Sequence, residues 1–270
     1  MQSAIWNPLG ELHGSCEGSA DRRDHAVSRY SFAVPNQLAV DAIARCSPVG
    51  VVELGAGLGY WAKILQNAGI DVAAYDIAPP PSAQNRWYAG CDPWHPVQEG
   101  GVSSIGRHRD RTLLLVWPTR NETWAADALA LHHRSAGATV AVVGEPPGGR
   151  TGDDAFQAML GHLPECLACR YRSPQSACTC GVPALWSQVE EVELPKWDGV
   201  HDNLGIYVRT AGRPAGHLSR RRFSWPPLKR LASGRERRAT TGVVTPWAHP
   251  TGLERDPWSR PWPSSSLLRS

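Results

Sequence analysis

No apolar run in the 270-residue chain approaches the ~20 residues that a membrane-spanning helix needs. The N-terminus lacks a basic flank leading into an apolar stretch, so no secretory signal is read there and a cytoplasmic setting is expected. Also missing are a Ser-His-Asp order, a phosphate-binding P-loop and a His-rich metal motif, so none of those chemistries competes for the site. The seven cysteines are an odd number, and four of them fall within fifteen residues. In a reducing compartment such clustering favours a metal over disulfides.

What is present begins with residues 49 to 76. A short apolar run, Val49 to Leu54, ends in Gly55, Gly57 and Gly59. A helix-period stretch from Tyr60 to Ala68 follows, then Gly69 as a stop, then a β-rich run closing on Asp76. The pattern predicts a strand, a glycine turn, a helix and a second strand, one βαβ unit. Glycines in the first turn admit a ligand against bare backbone, and the helix start offers unpaired N–H groups. An acid ending the second strand is placed to hold ribose hydroxyls. The dinucleotide fingerprint needs a sixth-place glycine where this chain has Tyr60.

The run Glu53-x-Gly55-x-Gly57-x-Gly59 resembles the first motif of class I S-adenosylmethionine-dependent methyltransferases. The resemblance implies S-adenosylmethionine as cofactor, with its methionine part against Gly55, Gly57 and Gly59. It also implies Asp76 on the ribose, and Glu53 organising the loop through backbone amides. It further suggests Tyr30, with Phe32 and Pro35, at the methionine end, although Tyr30 and Phe32 fit equally as core anchors. Asp92, after an expected third strand at 86–90, is a candidate for the adenine amine, with a solvated loop acid as the alternative. The fold implied is α/β, a seven-stranded, mostly parallel, doubly wound sheet spanning residues 29–209.

Further strands are read at 111–118, 138–145, 186–194 and 203–209, and helices at 37–45, 123–134 and 154–163. The apolar run before Trp117 suits a central strand covered on both faces. Its end, Trp117-Pro118-Thr119-Arg120, lacks the carboxylate of metal-dependent catechol-type relatives and the Asp/Asn-Pro-Pro-aromatic motif of amino-methylating DNA enzymes. Trp117 is a candidate for stacking on an acceptor or attracting the sulfonium, and a packing role fits it as well. Glu145, ending the fifth strand, is the leading candidate base, ahead of His132, His133 and His201. A small-molecule acceptor, methylated on O or N, is the leading expectation.

Cys166, Cys169, Cys178 and Cys180 form a small Cys-rich insertion at 164–182. Two close thiolate pairs suit a closed, structural tetrahedral zinc site, with free structural thiols or a redox pair as alternatives. Residues 1–28 read as a mobile leader. Beyond Thr210, twelve basic residues face three acids, so this tail carries +9 of a chain whose net charge is +3, leaving −6 on the body. Pro, Ser, Arg and scattered Trp there suit a disordered extension, with nucleic acid or an acidic partner as the alternative use.

Overall fold

The computed structural model describes residues 5–14, 20–162 and 184–210. The Cys-rich insertion, with Cys166, Cys169, Cys178 and Cys180, and the basic tail beyond residue 210 lie outside the described residues. Among the described residues no helix is long and apolar enough to cross a membrane, and no group of three or more His, Cys, Asp or Glu is placed to hold a metal.

Among the described residues seven strands form one sheet: β1 (Val51–Leu54), β2 (Val72–Asp76), β3 (Val97–Glu99), β4 (Thr112–Val116), β5 (Thr139–Gly144), β6 (Trp186–Glu193) and β7 (Asn203–Arg209). Their spatial order is 3-2-1-4-5-7-6. The first five run parallel, β7 runs antiparallel to β5, and β6 runs antiparallel to β7. Parallel strands buried on both faces need apolar residues at every position, and β4 shows why. Leu114 faces one core with Ala141 and Val143, while Leu113 and Leu115 face the other with Val140 and Val142.

The first core is closed by α3 (Gln37–Cys46) and α4 (Tyr60–Asn67), through Val40, Ile43, Trp61, Ile64 and Leu65. The second is closed by α5 (Trp124–Arg134) and α6 (Asp154–Met159), through Leu129 and Phe156. Caps set two of these helix starts: Asn36 Oδ1 accepts from Ala39 N at 2.9 Å, and Asp153 Oδ1 from Phe156 N at 2.8 Å.

The structure departs from the sequence reading in two places. The stretch expected as a mobile leader contributes α1 (Pro8–Gly14) and α2 (Ala20–Arg29), and Leu9 and Ala26 are fully buried in the first core. The third strand lies at 97–99, not 86–90. At the expected place the Asn85 side chain accepts from Trp87 N (3.0 Å) and Tyr88 N (2.7 Å) and donates to Ala78 O (2.7 Å). Those bonds use the N–H groups that a strand would offer to its neighbour, so the segment turns.

Candidate active site

The crossovers change direction between β1 and β4, and in such sheets a crevice opens beyond the carboxyl ends of the strands. A cavity of about 480 Å³ lies there, lined by Leu54, Asp76 and Val116, the last residues of β1, β2 and β4. That volume is within the range of small-molecule and cofactor sites. Gly55, Ala56 and Gly57 form its floor.

Gly55, Gly57 and Gly59 have φ of 71°, 53° and 68°, a left-handed run that side-chain-bearing residues rarely adopt. The turn is pinned from β2. Ala56 N donates to Tyr75 O at 3.0 Å, and Gly57 N donates to Asp76 Oδ2 at 3.0 Å. The other oxygen of Asp76 accepts from Ala78 N at 3.0 Å. A carboxylate has about four lone-pair sites, so two backbone bonds leave capacity for hydroxyl donors from the cavity.

The turn is crowded by the protein's own rings on one side. A Cβ on Gly57 would stand 2.6 Å from Tyr88, one on Gly55 3.0 Å from Trp124, and one on Gly59 3.0 Å from His95 and Val97. Gly59 is thus a packing glycine, while Gly55 and Gly57 face both neighbouring rings and open cavity.

Glu53 is 1% exposed, lines the cavity and has one carboxyl oxygen, Oε2, without a hydrogen-bond partner. Burial raises its pKa to about 8, opposed in part by the backbone N–H of Ala62 in the first turn of α4, and raised further by Asp76. A buried acceptor left open toward a cavity fits a donor arriving with a ligand.

Tyr60, first residue of α4, stands where the dinucleotide fingerprint has a glycine, and it lines the cavity. Its hydroxyl accepts from Leu9 N at 3.0 Å and donates to Asn7 Oδ1 at 3.0 Å, and Trp6, Tyr30 and Trp94 pack round its ring.

Tyr30 and Phe32 line the cavity, as does Trp117; Pro35 is buried elsewhere. Asp92 is exposed and outside the lining, because the chain turns at Asn85 and carries it past the cavity. Glu145 also stands outside this cavity. Its carboxylate accepts from Arg150 N (2.8 Å) and His201 N (3.1 Å), so it ties two loops together. His132 is fully buried, bonded to Thr139 O at 3.1 Å and stacked on Trp186; His133 meets the same Trp edge-on. His201 is exposed.

Sequence reading missed Asp202. It is fully buried, its Oδ1 accepts from Trp117 Nε1 at 2.8 Å, and burial first, then Glu145, raises its pKa to about 7. No local pattern marks it, since it meets Trp117 across 85 positions of sequence.

No protein-family model matches the sequence, and no curated protein matches it. Solved structures do resemble it. Magnesium protoporphyrin IX methyltransferase (ChlM) from Synechocystis PCC 6803, with bound SAM, is 15% identical at a TM-score of 0.40, over 76% of this chain and 93% of that one. The 1,6-didemethyltoxoflavin-N1-methyltransferase of Burkholderia thailandensis is 17% identical at 0.37, over 64% and 77%. N-methyltransferase NodS from Bradyrhizobium japonicum WM9 is 11% identical at 0.37, over 64% and 92%. Strand order 3-2-1-4-5-7-6 with β7 reversed, and a glycine turn after β1, make this a doubly wound, mostly parallel α/β sheet of the kind expected from the sequence.

Proposed function

We propose that the chain is an S-adenosylmethionine-dependent methyltransferase acting on a small-molecule acceptor at O or N. The observation that carries the reading is the pairing of Glu53 and Asp76 across the Gly55–Gly57 floor of the cavity. Glu53 offers a buried, unused oxygen suited to a hydrogen-bonding group of the ligand, and Asp76 offers remaining lone pairs suited to a diol. S-adenosylmethionine bound there would supply an electrophilic methyl to an acceptor lone pair, the carbon–sulfur electron pair staying on sulfur. The chain's own part is to hold the acceptor on that axis and exclude water, which the rings around the cavity suit. A strong base is needed only for an acceptor protonated at neutral pH.

Calorimetry on the full chain tests this. One-to-one binding of S-adenosylmethionine and S-adenosylhomocysteine is expected; no binding of either overturns the proposal. Tyr88 packed against Gly57 favours a second reading, a non-catalytic binding module whose turn is occupied by its own side chains. That same null result would select it.

A further inference from the structure

The acceptor side of the cavity lies at the end of β4, across from Glu53 and Asp76, where three rings gather beside Arg86, Thr119 and Glu122. Phe32 and Trp117 lie nearly parallel, centroids 5.1 Å apart at 18°. Trp87 meets Phe32 edge-on at 5.4 Å and 85°. All three are half-buried and line the cavity.

Trp117 is held there by an unusual backbone. Its φ is 50°, a left-handed conformation that a bulky residue seldom takes unless its surroundings impose it. Two bonds impose it: Trp117 N donates to Val143 O at 2.8 Å, and its indole Nε1 donates to the buried Asp202 at 2.8 Å. The second bond has a chemical consequence. With its only donor satisfied inside the protein, the indole meets the cavity with apolar ring atoms and no hydrogen-bonding group.

We infer that Phe32, Trp87 and Trp117 form the acceptor subsite, that it takes a flat ring system recognised by ring contact, and that Asp202 is the positioning residue that fixes Trp117 for it, with Arg23 over the same indole at 5.8 Å. The inference rests on the methyltransferase reading of the same cavity. A puckered molecule of equal size and polarity gains the same burial but forfeits ring-on-ring contact, so flatness is the property the subsite selects.

The test uses the full chain saturated with S-adenosylhomocysteine and two neutral probes, 2-naphthol and 2-decalol, titrated by calorimetry. About tenfold tighter binding of 2-naphthol is expected, the size that aromatic pairing supplies beyond burial. Trp117→Leu and Phe32→Leu, which keep apolar volume, should each erase most of that preference. Trp117→Phe should retain it. Asp202→Ala should weaken 2-naphthol binding while S-adenosylhomocysteine affinity holds, and Asp202→Asn, which keeps an acceptor oxygen, should restore it. Equal affinities for the two probes, or a preference unchanged in both leucine variants while S-adenosylhomocysteine still binds, overturns the subsite and leaves the methyltransferase reading standing. A wild-type chain that takes up no S-adenosylhomocysteine overturns both.

Discussion

The carboxylate of Asp76 accepts a hydrogen bond from the backbone N–H of Gly57, across 3.0 Å and nineteen positions of sequence. This bond joins the end of β2 to the glycine turn after β1, so one side chain shapes the turn and also faces the cavity. Replacing Asp76 with Ala should weaken S-adenosylmethionine binding at least tenfold, about the value of hydrogen bonds to a charged group. Asp76→Asn keeps one acceptor oxygen and should lose less. Calorimetry on both variants, with circular dichroism to show that they fold, checks the ordering.

Glu53 makes a pH prediction. Its folded pKa, near 8, lies above the ordinary 4.5, because burial disfavours the charged form. Between those values the folded state keeps a proton that the unfolded chain has lost. Stability contributed by this group is therefore full below about pH 4.5 and falls as pH rises toward 8. Glu53→Gln removes the dependence. In urea unfolding, the variant should gain on the wild type steadily from about pH 5 to pH 8, by at most about 1.4 kcal/mol per pH unit. A constant gap would show that Glu53 does not stay protonated in the fold.

Gly57→Ala should destabilise the protein by about 1–3 kcal/mol through its backbone conformation, and by more through contact with Tyr88. Adding Tyr88→Ser should recover only the steric share. A double-mutant cycle of thermal unfolding measures the split.

Glu145→Gln should leave S-adenosylhomocysteine affinity within about twofold, because the carboxylate ties Arg150 and His201 and stands outside the cavity. Glu145→Ala should cost about 1–3 kcal/mol of stability, the net worth of the two hydrogen bonds it removes. Cofactor affinity that collapses in the Gln variant would return Glu145 to the site.

The framework was legible wherever the physics is local. Largely apolar runs at 51–54, 112–116 and 139–144 suit strands buried on both faces, and the glycines at 55, 57 and 59 permit a left-handed turn. Asp76 follows from its distance along that unit. By itself, then, the sequence determined the sheet, the turn and the acid beside it. Tertiary structure alone decided which side chains reach the cavity. Glu145 and Asp92 stand at plausible strand-end positions, yet Glu145 is drawn aside by two backbone donors and Asp92 by the Asn85 turn. Trp117 reaches the cavity in a conformation set by Val143 and by Asp202, residues that no periodicity links to it. Tyr60, which breaks a local fingerprint, shows its purpose only where Asn7 and Leu9 meet it across more than fifty positions. Periodicity reports which face a residue presents, whereas a site depends on contacts between segments far apart in the chain, and packing alone brings those together.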